Sequence, residues 1–238
     1  MSDRANSGIV ASGLTPPGEF DARLKRGDEN RWLASRYAPG LGRERLVAVY
    51  LLNHELQRAL GVSEPMLGKI RLQWWRETLD SIAAGRPRRH DLAIELARTI
   101  AGRDDLLAPL NALIDRFDDV IDDHLHTGGH DPASAHEARH AATEAALTRL
   151  AGLALEREIA TAHLETLARS GEAHFAVLAE LPDAPQRFAE AARLARNLPA
   201  NLWPAIAHLA AARRVGAGAF GPLRKRWRIL QAVLSRRL

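Results

Sequence analysis

The sequence of 238 residues contains no cysteine, so it can form neither disulfide bonds nor thiolate metal sites. It has no run close to the roughly 20 apolar residues of a membrane span. Its first residues also lack the basic start and apolar stretch of a secretion signal. These absences predict a cytoplasmic protein that is soluble, or peripheral on the inner face of the membrane. Alternating β-branched residues are missing as well, which argues against a sheet.

What is present indicates helices throughout. Hydrophobic residues make up 46% of the chain, enough for the core of one large domain. Ala, Leu, Arg and Glu dominate and apolar residues recur at intervals of three and four, so the sequence predicts an all-α helical bundle. Residues 1–18 are expected to be flexible and residues 19–238 to form the domain. The predicted helices are 19–37, 43–60, 64–84, 90–102, 106–125, 133–154, 157–180, 185–196, 200–213 and 221–236.

An Asp-Asp-x-x-Asp pattern lies within the stretch DRFDDVIDD, residues 115–123. Carboxylates four apart on a helix suit Mg²⁺, which takes oxygen ligands from one or two acids and from phosphates. At 100° per residue, however, Phe117 and Ile121 gather on one side of the helix, and Asp118 and Asp122 lie roughly opposite. The preferred interpretation is therefore a solvated acidic face that pairs with arginines.

A second distinctive stretch begins with an acidic turn and continues as a helix with two adjacent tryptophans. Ser63 is a good N-cap and Pro65 suits the first helical position, so a new helix is predicted here. Two neighbouring rows, one with Ile70 and Trp74 and the other with Trp75, are expected to run inward. Without other information, such a pair of tryptophans indicates core packing.

Several segments together resemble the squalene/phytoene synthase superfamily. They are RWLASRYAPGLGRERLVAVYLLNHEL and VSEPMLGKIRLQWWRETLDSI, continued by HDLAIELART and LNALIDRFDDVIDD and weakly by LPANLWPAIAHLAAARR and FGPLRKRWRILQAVLSRR. The resemblance implies an isoprenoid-synthase bundle with a deep apolar cavity. In that family, two aspartate-rich motifs on facing helices bind magnesium and prenyl diphosphates, because the departing diphosphate must be stabilised.

The chain departs from this pattern where the magnesium ligands are expected. The first motif should follow Tyr50, but the stretch LLNHELQR contains only one acid, Glu55. The second should lie in the helix with HEARHAATEAALTRLAGLALE, where Glu137 and Glu144 are poor substitutes for paired aspartates. The DDVID stretch lies on a different helix, so it imitates the motif in the wrong place.

What remains resembles a branch of the superfamily that keeps the bundle without the ionisation machinery, and that includes an assembly factor for respiratory complex I. The resemblance rests on Asn53, Glu55 and Leu56, on SEP at 63–65, and on the aspartates of 115–123. It implies a non-catalytic protein without a cofactor, whose partner is a respiratory-complex subunit or a lipid. The candidate pocket residues are Tyr50, Asn53, Glu55, Gln73 and Trp74.

The alternative is an active enzyme, a transferase that condenses two prenyl diphosphates with Mg²⁺ as cofactor. Its unconventional metal ligands would be Glu55, Asp118 and Asp122. This hypothesis requires the three carboxylates to converge on one cavity.

Two further segments carry weaker signals. The stretch DDHLHTGGHDPASAHEARH concentrates five histidines, which is a pattern that zinc can use. Near the C-terminus, the stretch GPLRKRWRILQAVLSRRL predicts a basic amphipathic helix with Leu223, Trp227, Leu230 and Leu234 on one face. This apolar face either closes the bundle, which is favoured, or contacts an anionic membrane together with Arg224, Lys225, Trp227 and Arg228. Nucleic-acid binding is not expected, because no motif or interleaved aromatic residues accompany the charge.

Overall fold

The computed structural model describes residues 17–127, 133–212 and 221–238, and this part of the chain is helical without a strand. The all-α fold predicted from the sequence is confirmed. The helices are α1 (Pro17–Gly27), α2 (Glu29–Ser35), α3 (Gly40–Leu60), α4 (Pro65–Ala83), α5 (Asp91–Thr99), α6 (Leu107–Thr127), α7 (Ala133–Leu155), α8 (Thr161–Leu178), α9 (Ala184–Ala195), α10 (Leu209–Ala212) and α11 (Pro222–Ser235). Two 3₁₀ turns, Asp104–Leu106 and Ala200–Ala205, complete the order.

The bundle is organised around α3 and α7. Helix α7 packs against α8, α6 and α3, and α4 packs against α6. Leu52 and Leu56 of α3, Leu113 of α6 and Leu147 of α7 are fully buried in one apolar core. None of the helices in the described ranges is long and apolar enough to cross a membrane.

Two predicted helices are interrupted by local chemistry. The helix predicted at 19–37 is divided at Asp28, whose side chain accepts a hydrogen bond from the Arg31 backbone N–H at 2.9 Å and caps α2. The helix predicted at 200–213 contains Pro204, which cannot donate to an α-helical ladder, and the segment forms a 3₁₀ turn followed by the short α10.

The start and the inward face of α4 differ from the prediction. The N-cap is Glu64 rather than Ser63, with Pro65 as the first helical residue. Trp75 is buried as expected, but Ile70 is 61% exposed, because α4 turns its Leu72 and Leu79 side to the core. The expectation that the Ile70 row runs inward is therefore wrong.

The face of helix α11 that is buried also differs from the prediction. Ile229 and Ala232 face the bundle and are buried, whereas Leu223, Trp227 and Leu234 are exposed. Three of the four residues in the apolar row predicted to close the bundle thus lie on the exposed side, and the fourth, Leu230, is partly buried. The predicted flexible segment lies almost wholly in residues 1–16, outside the described residues.

Candidate functional site

The interior of the bundle holds a group of largely buried polar side chains, which we call the central polar cluster. It draws on α2, α3, α7, α8 and the segment before α10. Its members are Arg31, Tyr50, Asn53, Glu144, His174 and His208. Polar groups are rarely withdrawn from water without a partner or a function, so this cluster is the first place to look for a site.

Arg31 is the organising residue of the central polar cluster, and only 4% of it is exposed. Its Nη1 donates to Asp28 Oδ2 at 2.9 Å, and its Nη2 forms an ion pair with Glu144 Oε2. The guanidinium also lies over the ring of Tyr50, 5.5 Å from the ring centroid. Residues of α2, α3 and α7 are therefore joined through one cation.

Two histidines complete the cluster on its α8 side. His174 Nδ1 lies 3.1 Å from Glu144 Oε2 and 3.3 Å from Arg31 Nη2. The ring of His208 meets that of His174 edge-on, with 4.6 Å between centroids. Burial, reinforced by His174 and Arg31, lowers the pKa of His208 well below its ordinary value. His208 is therefore neutral at physiological pH.

The ion pair fixes the charges within the cluster. Burial alone would raise the pKa of Glu144, but Arg31 and His174 lower it to about 2. Burial would lower the pKa of Arg31, yet Glu144 and Asp28 raise it above its ordinary value. Burial raises the pKa of Tyr50 in spite of Arg31. At neutral pH the interior thus contains an ionised pair beside a protonated phenol.

Some polar atoms of the cluster have no hydrogen-bond partner among the described residues. They are Tyr50 Oη, Asn53 Oδ1, Arg31 Nε and both ring nitrogens of His208. Tyr50, Asn53 and Arg31 line a cavity of about 40 Å³ between α1, α2 and α3. That volume admits water, which can satisfy such atoms, but it does not admit a prenyl diphosphate.

A separate opening lies between α3, α4 and His90 just before α5, and we call it the aromatic cleft. It has a volume of about 330 Å³ and is lined by Glu55, Arg58, Arg71, Trp74, Trp75 and His90. Trp74 packs edge-on against Trp75 at 4.9 Å and against His90 at 5.2 Å, measured between ring centroids. The aromatic cleft therefore combines an apolar wall with charged groups at its rim, a combination that suits an amphipathic ligand or side chain.

The structure divides the five predicted pocket residues among three places. Tyr50 and Asn53 belong to the central polar cluster, and Glu55 and Trp74 line the aromatic cleft. Gln73 joins neither, because it is exposed and donates to Glu77 Oε1 at 3.2 Å on the surface of α4.

The acids proposed as magnesium ligands do not form one group. Asp118 lies 3.1 Å from Lys69 Nζ and 2.8 Å from Arg76 Nη2, and Asp122 lies 2.5 Å from the same lysine nitrogen. The side chain of Asp118 is 24% exposed and that of Asp122 44%. The acids of α6 thus face outward and pair with cations of α4, as the helical wheel predicts.

Glu55 occupies different surroundings, with Arg23 Nη2 at 3.4 Å and Arg58 Nη1 at 3.3 Å. No set of three or more His, Asp or Glu side chains within the described residues is arranged to hold a metal ion. The convergence that the transferase hypothesis requires of Glu55, Asp118 and Asp122 is therefore not found, and these residues do not fit a magnesium clamp.

The histidine-rich segment is only partly covered by the structure. His136 and His140 lie one turn apart on α7 with 4.4 Å between ring centroids, and His140 stacks on Phe175. His130 and the side chains of His124 and His126 lie outside the described residues. The described residues do not test zinc binding in this segment, which the histidine pattern allows but the sequence does not favour.

Four members of the central polar cluster give no clear signal in the sequence: Arg31, His174 and His208 belong to no recognisable motif, and Glu144 stands where the family has paired aspartates. Arginine is usually solvated, so its presence gives no sign of burial. For Glu144, the one available signal was its position in a helix expected to face the cavity.

Comparison with known proteins places most of the resemblance in the first half of the chain. The family model for squalene/phytoene synthase matches residues 24–127. A curated bovine (Bos taurus) relative, NADH dehydrogenase (ubiquinone) complex I, assembly factor 6, is 30% identical over 120 residues. That match covers 50% of this chain and 35% of the relative, so it spans about a third of the relative's length. No solved structure matches the chain.

The family match divides the central polar cluster. Arg31, Tyr50 and Asn53 lie inside residues 24–127, as does the whole aromatic cleft. Glu144, His174 and His208 lie beyond it. Of the two carboxylates that pair with Arg31, Asp28 thus lies within the matched part of the chain and Glu144 lies outside it.

Proposed function

From its relation to squalene/phytoene synthase over residues 24–127, we propose that this chain is a non-catalytic, synthase-like protein that acts in the assembly of respiratory complex I. It uses the bundle as a binding scaffold. Its partner is a membrane subunit of the complex or a lipid, engaged at the aromatic cleft.

The ion pair between Arg31 and Glu144 is the observation that best supports a non-catalytic role. The bundle has a carboxylate in its interior, but an arginine neutralises it and His174 adjoins it. An acid held in this way is a poor magnesium ligand, because metal binding would take one of its two carboxylate partners from the buried Arg31 guanidinium. Asp118 of α6 is likewise neutralised, by Lys69 and Arg76 of α4.

The assembly role is supported by the relative, whose name describes a complex I assembly factor. The aromatic cleft supports a binding role, because Trp74 is half-buried and presents an aromatic surface beside Arg58 and Arg71. Tryptophan and arginine are enriched among the few residues that contribute most of the binding energy at protein interfaces.

The first experiment tests the assembly role in the organism that encodes the chain. Deletion of the gene should lower NADH:quinone oxidoreductase activity in isolated membranes and leave succinate:quinone oxidoreductase activity unchanged. Complementation with the wild-type gene should restore the former. Trp74→Ala should restore less than Gln73→Ala, its exposed neighbour outside the cleft. Normal complex I levels after deletion would contradict the proposal.

The second experiment tests catalysis directly. Purified protein is incubated with Mg²⁺ and farnesyl or geranylgeranyl diphosphate, and extracted products are analysed by mass spectrometry. We expect no condensed product from a protein whose far-UV circular dichroism shows it to be folded. A product that disappears in Asp118→Asn would instead establish the transferase.

A further inference from the structure

Helix α11 has one face that belongs to the bundle. Ile229 and Ala232 are buried, and Ile229 packs with Leu33 of α2 and Ala211 of α10. Lys225 Nζ lies 3.0 Å from Glu29 Oε2 of α2. These contacts fix the rotation of the helix, so the orientation of its opposite face is determined.

The opposite face presents large apolar side chains to solvent. Leu223 is 80% exposed, Trp227 63% and Leu234 74%. At 100° per residue, these three positions lie within about 40° of one another, and they span about 16 Å along the axis. They therefore form one continuous stripe, which we call the α11 stripe, rather than scattered exposed residues.

The charges around the α11 stripe have a single sign. Residues 221–238 contain six of the 33 Lys and Arg residues of the chain and none of its 29 Asp and Glu residues. Without this segment, the formal net charge of +4 would become −2. On the helical wheel, Arg226 falls on one side of the stripe and Arg224 and Arg228 fall on the other, while Arg236 and Arg237 follow the end of the helix.

This arrangement favours a lipid surface over a protein groove as the partner of the α11 stripe. The stripe is convex and has cations on both flanks. The surface of a bilayer complements it across its full width, because an anionic headgroup layer there covers an apolar acyl layer. Tryptophan is the side chain that prefers the boundary between these layers. A second apolar patch, Met66, Leu67 and Ile70 on α4, is similarly exposed, but charges of both signs lie beside it, with Asp118 and Asp122 against Lys69.

We propose that the exposed face of α11 binds the surface of an anionic phospholipid bilayer, with the helix in the plane of the headgroups. Leu223, Trp227 and Leu234 enter the acyl boundary, and the flanking arginines contact lipid phosphates. This inference does not depend on the proposed role in assembly, because it follows from the faces of α11 alone.

The test is flotation of the full-length protein with phospholipid vesicles. Binding is expected to vesicles that contain phosphatidylglycerol, to weaken as salt is added, and to be much weaker with phosphatidylcholine alone. The combined variant Leu223→Ser, Trp227→Ser and Leu234→Ser should bind at least roughly tenfold more weakly. Its thermal unfolding should stay close to wild type, because the substituted side chains are exposed.

Two further variants separate the contributions. The matched control Met66→Ser, Leu67→Ser and Ile70→Ser removes as many exposed apolar side chains from α4 and should bind like wild type. Arg226→Gln, which removes one flanking charge, should weaken binding to anionic vesicles by roughly fivefold. The fluorescence of Trp227, obtained as the difference between wild type and Trp227→Phe, should shift to shorter wavelength on binding.

Three outcomes would overturn the proposal. They are equal binding to neutral and anionic vesicles, an equal loss of binding in the α4 control, and no binding to anionic vesicles. Gel filtration addresses another occupant of the stripe. If the wild type is a dimer and the α11 variant a monomer, the stripe joins two copies of the chain instead.

Discussion

At the scale of single residues, Arg31 and Glu144 depend on each other. Each has been withdrawn from water, and burial opposes the charge of both. Their attraction overcomes that opposition only while both are present, since an unpaired buried charge costs several kcal/mol. His174 and Asp28 share the arrangement as hydrogen-bond neighbours of the carboxylate and the guanidinium.

The substitution Glu144→Gln tests this dependence. It preserves the size of the side chain but removes one of the two carboxylates that pair with the buried Arg31 and leaves only Asp28, so the free energy of unfolding should fall by about 3 kcal/mol. Urea denaturation followed by circular dichroism measures the change. Glu165→Gln is the control, because Glu165 pairs with Arg149 and Arg169 on the surface and its loss should cost less than about 1 kcal/mol. Equal effects of the two substitutions would show that burial adds nothing to the Arg31 pair.

Individual residues were predictable from the sequence where periodicity decides their orientation. Phe117 is buried and Asp115 is exposed, as their positions on one amphipathic helix require. Glu144 differs, because its helix α7 is rich in alanine and has little contrast between faces. Its burial depends on Arg31, which is 113 positions away in sequence, and no local pattern carries that information.

At the scale of elements, the central polar cluster depends on how closely α7 and α8 approach. A Cβ atom built on Gly171 of α8 would lie 2.3 Å from the carbonyl oxygen of Glu144 and 2.8 Å from Cα of Ala145. The two backbones are therefore in direct contact. This contact places His174, almost one turn further along α8, beside the Glu144 carboxylate.

Gly171→Ala should consequently destabilise the protein. The obstacle is backbone, which cannot swing aside, so we expect α8 to shift and the free energy of unfolding to fall by about 2 kcal/mol. Gly18→Ala in α1 is the control, and it should raise the free energy of unfolding instead. Nothing lies within 4 Å of a Cβ atom built at Gly18, and alanine stabilises a helix by about 0.5 kcal/mol relative to glycine. Thermal or urea unfolding of both variants provides the measurement. Unchanged or increased stability in Gly171→Ala would contradict the close crossing.

The helices themselves were largely predictable, but the faces that they bury were less so. Both α4 and α11 carry two apolar rows, and periodicity alone does not say which row meets the core. The bundle takes Ile229 and Ala232 from α11 and leaves Leu223 and Trp227 exposed. That choice depends on the surfaces of α2 and α10, which come together only in the folded chain.

At the scale of the whole molecule, the interior carries titratable groups that favour one pH range. The folded chain holds His208 with a pKa well below its ordinary 6.5, and Glu144 at about 2 against an ordinary 4.5. In both cases the unfolded chain binds a proton more readily than the folded one. Both groups therefore contribute stability above their unfolded pKa values and lose that contribution as pH falls.

This linkage predicts that acid weakens the protein in two ranges. Below pH 6.5, His208 is protonated only in the unfolded chain, and it should lower the free energy of unfolding by about 1.4 kcal/mol per pH unit. Protonation of Glu144 should lower the free energy of unfolding further between about pH 4.5 and 2.

Urea denaturation of the wild type and of His208→Gln between pH 7.5 and 5 isolates the contribution of His208. Gln does not titrate, so the variant should have a flatter profile, whatever its stability at pH 7.5. If the profile of His208→Gln runs parallel to that of the wild type, His208 takes up its proton without unfolding, and the interior around His174 and Arg31 must open to water below pH 6.5.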